Sequence, residues 1–135
     1  GYIERTFASS PLSALDTPVM SQLFAFWKPQ SDLILQPQAI FQLLFYGEDA
    51  EGIADLPIHE IIAAVKQEFP QHEEKPGLLS VRGAVGHFDA TWSWQHFRVE
   101  AHDLVAADVQ QLMSILRQFG CGVYDSQANS WTPPS

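Results

Sequence analysis

The chain has 135 residues, of which 46% are apolar and 17% charged, and its formal net charge is −9. A domain of that length buries about two-thirds of the surface its unfolded chain exposes, so it needs no metal or disulfide to fold, and the apolar share is that of a globular rather than a disordered chain. The negative balance argues against a nucleic-acid partner, which needs cations to neutralise phosphates, and against an anionic membrane surface.

Cys121 is the single cysteine, so no intrachain disulfide can form. That suits a reducing, cytoplasmic compartment. No apolar run approaches the roughly 18 residues of a transmembrane helix, and no signal-peptide pattern is visible. The chain starts with Gly rather than Met. The leading Gly reads as the remnant of a trimmed start, which leaves room for a removed signal or a further domain.

Residues 1–37 read as an N-terminal extension packing on a domain over residues 38–135. Residues 1–15 read as an irregular arm. "DTPVMSQLFAFWKP" reads as a short helix, with Asp16 or Thr17 as N-cap, Pro18 in the first turn, and Val19, Leu23, Phe26 and Trp27 on one face. A strand over "LFAFW" is the alternative, and period alone does not choose. "AIFQLLFYG", bounded by "QPQ" and Gly47, reads as a buried strand.

Glu48, Asp49, Glu51, Asp55 and Glu60 follow in a segment without Lys or Arg. The plain reading is a solvated loop and helix start; the functional one is an acidic docking patch. "DLPIHEIIAAVKQEFP" is an amphipathic helix, with Ile58, Ile61, Ile62, Val65 and Phe69 on one face and Pro70 as its stop. "QHEEKPG" reads as a polar linker.

The next segment contains "GHFDATWSWQHFRVEAHD". Phe88, Ala90 and Trp92 share even parity, whereas Phe97, Val99 and Ala101 are odd. One continuous strand cannot keep both apolar sets on one face. A hairpin with "SWQ" near its tip resolves the conflict. "DLVAADVQQLMSILRQFG" is a second helix with Asp103 as candidate N-cap and Gly120 at its end. "CGVYD" reads as a strand and "SQANSWTPPS" as a turn and tail.

The order from residue 38 is thus strand, helix, strand, strand, helix, strand. That order predicts an α+β fold, a ferredoxin-like split βαβ sandwich with an antiparallel sheet and both helices on one face. The terminal "FGCGVYDSQANSW" resembles the last strand and turn of small bacterial α+β proteins, some immunity-type proteins among them.

The residues bear on five chemistries. A metal site needs three or four converging ligands. His87 and Asp89 lie two apart on one strand, and His96 can face His87 across a hairpin. His96 and His102 are about 20 Å apart along a regular strand. "HEIIA" and "HEEKP" both fail the spacing of a zincin helix. Neither a metal nor a cofactor is therefore expected. Cys121 follows a helix C-terminus, the negative end, which opposes thiolate formation. "RGAVG" lacks a dinucleotide or phosphate fingerprint. His87 with Asp89, or Arg98 with Glu100, can be acid–base pairs or ordinary surface ion pairs. Trp94 sits at the change of phase, where it either packs or forms a contact surface with His96 and Arg98.

The sequence therefore favours a non-enzymatic protein-binding module, of immunity or inhibitor type or self-associating as a homodimer. Its expected surface is Trp94, His96 and Arg98, together with Glu48, Asp49, Glu51 and Asp55. The alternative is a small-ligand-binding domain or small enzyme whose pocket is lined by His87, Asp89 and His96.

Overall fold

The computed structural model describes residues 21–30 and 35–134. The irregular arm expected over residues 1–15 and the helix start at Asp16, Thr17 and Pro18 lie outside the described residues. The described chain runs β1 (Gln22–Pro29), α1 (Pro37–Phe45), β2 (Ile53–Ala54), α2 (Ile58–Glu68), β3 (His72–Lys75), β4 (Leu78–Arg82), β5 (His87–Trp92), β6 (Phe97–His102), α3 (Ala106–Gln118), β7 (Gly122–Asp125) and β8 (Ser130–Thr132).

The strands form a sheet in the order β3-β4-β5-β6-β1-β7-β8, with β2 pairing the end of β1. Every pairing is antiparallel. Residues 22–29, read from sequence as part of an extension, form the strand between β6 and β7. Phe24 and Phe26 point to one face and Ala25 and Trp27 to the other, and all four are buried. A strand covered on both sides has no polar parity, and so its period resembles that of a short helix.

The larger core lies between one sheet face and the helices α2 and α3. Ile58, Ile61, Ile62, Val65, Leu112, Ile115 and Leu116 pack there on Phe24, Phe26, Leu79, Val81, Phe88, Phe97 and Val99. A second core lies on the opposite face, where α1 sets Ile40 and Leu44 against Ala25, Trp27 and Tyr124. Trp27 stacks on Trp131 with centroids 4.8 Å apart.

This is an α+β fold, but its eight strands and three helices among the described residues exceed the expected four-stranded sandwich. The main correction is the segment 39–47, read as a buried strand, where the chain instead forms α1 over Pro37–Phe45. Pro37 stands in its first turn, where a missing N–H is harmless. Ile40 and Leu44 are buried four residues apart, and the rings of Phe41 and Phe45 lie 5.7 Å apart on the same helix. The Glu48 N–H donates to the Leu43 carbonyl at 2.9 Å and the Gly47 N–H to that of Leu44 at 3.0 Å, closing the helix.

Two polar segments hold strands. "HEEK" is β3, an edge strand whose charged residues discourage pairing with another chain. The tail contains β8, joined to β7 by a turn in which Asp125 accepts from the backbone N–H of Gln127 and Ala128. Asp103 is not the cap of α3, and Asp55 is not the cap of α2. Val105 and Pro57 hold those positions, neither with a side-chain cap. No helix among the described residues is long and apolar enough to cross a membrane.

Where α1 does not reach, the sheet face over β3–β6 carries polar residues. Ser80, Arg82, His87, Asp89, Thr91, Arg98, Glu100 and His102 point from it, with Phe45 at the end of α1 lying over Arg98.

Candidate functional site

The β5–β6 hairpin supplies two surfaces. Its register pairs Trp92 with Phe97, an even residue with an odd one, which is consistent with the change of phase. The turn is Ser93–His96. The Ser93 N–H donates to the His96 carbonyl at 3.0 Å. The Gln95 N–H donates to Ser93 Oγ at 3.2 Å, and that hydroxyl lies 2.7 Å from His96 Nδ1.

His96 is buried, and burial, together with the charge of Arg98, pushes its pKa down to about 4. The imidazole is therefore neutral at pH 7 and hydrogen-bonded through Nδ1 to the Ser93 hydroxyl, its tautomer setting which of the two donates. A serine hydroxyl against a histidine nitrogen has the outline of a nucleophile and its base. Such a base must take a proton near neutral pH. His96 does so only near pH 4, and its charged neighbour is a cation. The pair holds a turn.

The tip is fastened to the acidic segment. Gln95 Oε1 accepts from the Ala50 N–H at 2.9 Å, and Gln95 Nε2 donates to the Ala50 carbonyl at 3.0 Å. The Leu56 N–H donates to the Trp94 carbonyl at 2.7 Å. Trp94 is 72% exposed at the apex. Beside it is a hollow of about 280 Å³ lined by Ile58, His59, Trp92, Ser93 and Trp94. Glu48, Asp49, Glu51 and Asp55 are all exposed. One surface thus combines an aromatic apex with a carboxylate-rich loop.

Replacing Gln95 with alanine leaves both polar groups of Ala50 unpaired at a residue 3% exposed. The expected loss is about 1–3 kcal/mol, read as a lower urea midpoint with faster hydrogen exchange at the Ala50 amide. An unchanged Ala50 exchange rate would show that the bridge does not hold the loop.

The second surface is the uncovered sheet face. His87 lies opposite His102, Asp89 lies between Ser80 and Glu100, and Thr91 lies opposite Arg98. The imidazoles of His87 and His102 stack with centroids 4.8 Å apart and planes 25° from parallel. Ser80 Oγ donates to Asp89 Oδ1 at 2.7 Å. His102 Nε2 lies 4.0 Å from Glu100 Oε2. Arg98 lays its guanidinium over the Phe45 ring, 5.0 Å from its centroid, which ties the sheet to the end of α1. Hollows of about 520 and 410 Å³ meet at Asp89, the first also bordered by His87 and Arg82, the second by Arg98 and Glu100.

The residues singled out from sequence are therefore dispersed. Trp94 is at the apex with the acidic loop beside it. His96 is buried beneath it, and Arg98 is on the polar sheet face, under Phe45. His87 and Asp89 stand together, but His96 does not join them. With Trp92 opposite Phe97, five residues back along each strand His87 meets His102. His102 was separated from His96 by distance along one strand, and its pairing across the hairpin was missed. The phase change requires only that even residues of β5 face odd residues of β6; the four-residue turn Ser93–His96 then sets Trp92 against Phe97 and so His87 against His102. Cys121 is buried, and burial pushes its thiol up to about 12 against the opposing pull of Lys28, so the thiolate is unavailable at neutral pH. No protein-family model matches the chain, and no curated protein matches its sequence.

Proposed function

We propose that the protein is a non-enzymatic binding module that captures a basic protein partner with the hairpin apex and the acidic loop. The observation carrying this reading is the bridge from Gln95 to Ala50, which joins Trp94 and the carboxylates of Glu48, Asp49, Glu51 and Asp55 into one surface. Tryptophan is a common anchor of protein interfaces, because it buries a large area at small entropic cost. Carboxylates around it steer a cationic partner and fix its orientation. The hollow beside Trp94 is of a size to admit one partner side chain. A second copy fits this surface poorly, since it would bring like charges together. A reducing, cytoplasmic setting agrees with a single buried thiol.

Selection of a displayed random-peptide library on the whole protein tests the reading. Enriched peptides are expected to cluster Lys and Arg around an apolar residue. They should bind Trp94→Ala at least tenfold more weakly, a loss typical of an interface anchor. Glu51→Lys with Asp55→Lys should weaken them further, and added salt should weaken them all. Selection of peptides without basic residues, or equal binding by Trp94→Ala, would overturn it. Trp94 is exposed, so its removal leaves the fold intact.

A further inference from the structure

We propose that His87, Asp89 and His102 bind one divalent transition-metal ion of the zinc class on the uncovered face of the sheet, with its remaining coordination positions open to the hollow at Asp89. One ligand atom from each of the three residues lies within 4.8 Å of the others. In a tetrahedral site with Zn–N and Zn–O distances of about 2.0–2.1 Å, neighbouring ligand atoms are about 3.4 Å apart. The required closure is small and can come largely from the exposed His87 side chain. His87 is exposed, and His102 and Asp89 are half-buried.

The backbone supports the convergence. His87 and His102 are directly opposed on adjacent antiparallel strands, and Asp89 is the next residue on the same face of β5. Such a pairing holds two imidazoles face to face without strain. The plain alternative is a polar sheet surface with no ligand. Two features favour the ion. The first is the donor set, two imidazoles and a carboxylate, which suits zinc-class ions rather than Mg²⁺ or Ca²⁺. The second is Ser80, whose hydroxyl occupies Asp89 Oδ1 and leaves Oδ2 for a ligand. A hydrogen bond of that kind orients a coordinating carboxylate. Three protein ligands leave an open position, the pattern of zinc sites that also hold water or substrate. Arg82, opposite His87 on β4, then stands where an anion on the ion would meet a cation.

The test is Zn²⁺ titration of the full chain without an affinity tag, followed by calorimetry and by the ring-proton NMR signals of its histidines. One saturable equivalent is expected, with the ring signals of His87 and His102 moving together and those of His59, His72 and His96 unmoved. His87→Ala, His102→Ala and Asp89→Asn should each weaken binding at least tenfold, and Ser80→Ala about tenfold. His59→Ala should bind as the wild type does. Absence of a saturable equivalent overturns the proposal. So does a movement of all exposed histidine signals alike, or unchanged affinity in His102→Ala. The NMR readout uses the unaltered protein, so a variant that fails to fold does not spoil the test.

Discussion

Gly86→Ala is expected to lower stability by about 3 kcal/mol or more, as two independent penalties combine there. The residue adopts φ +80, a conformation that costs an L-residue about 1–2 kcal/mol. An added Cβ would also run into the backbone carbonyl oxygens of His102 and Asp103. Backbone groups cannot rotate away, so the strands must part, and forced overpacking costs about 1–3 kcal/mol. The contact is close because Gly86 directly precedes His87, which is paired with His102 at the end of β6. Gly77→Ala is the matched control. Its φ is +73, but nothing lies within 4 Å of the added Cβ, so about 1–2 kcal/mol is expected from conformation alone. Urea midpoints of the two variants give the difference directly. Equal losses would mean that β5 and β6 do not approach each other this closely at their open end.

Legibility from sequence followed the number of environments each segment faces. α2 and α3 each bury one stripe and wet the other, so their period was plain, with Ile58, Ile61, Ile62 and Val65 on the inner face of α2. The hairpin was legible because β5 and β6 each have one dry side, and the shift from even to odd apolar residues forced a turn at Ser93–His96. β1 was ambiguous because both its sides are dry. α1 was misread because Pro37 passes equally for a strand boundary or a first helical turn, and in "AIFQLLFYG" the apolar residues crowd more than one helix face. The charged residues of β3 mask a strand, since an edge strand is stabilised by backbone pairing rather than burial. The sites divide in the same way. Exposure of Trp94 depends on what surrounds the turn, which no local pattern encodes, whereas the His87–His102 pairing follows arithmetically once Trp92 faces Phe97.

Acidification should loosen the protein through His96, in the window between the ordinary pKa of its imidazole and its native one. The unfolded chain protonates this imidazole near its ordinary pKa of 6.5, whereas burial and Arg98 hold the native form neutral until about 4. Between those values the unfolded state binds one more proton, so stability falls as pH falls. It is complete above pH 6.5, declines down to about pH 4, and below that both states carry the proton and the decline ends. A gap of that width corresponds to about 3 kcal/mol. His96→Asn keeps an acceptor for the Ser93 hydroxyl but cannot titrate, so its stability should be nearly level over the same range. The Lys66 ammonium holds the exposed Glu74 carboxyl below its usual range. That group titrates at lower pH and is common to both proteins, so it cancels in the comparison. Urea titrations at a series of pH values from 7.5 to 4 provide the measurement, and parallel curves for the two proteins would remove His96 as the sensor. The imidazolium can still donate to the Ser93 hydroxyl oxygen, but it sets a buried charge beside Arg98, so the destabilisation falls on this turn. Because Gln95 sits in that turn and holds Ala50, hydrogen exchange at the Ala50 and Leu56 amides should accelerate before the amides of β1 do. The apex and the acidic loop would then separate while the two cores remain packed.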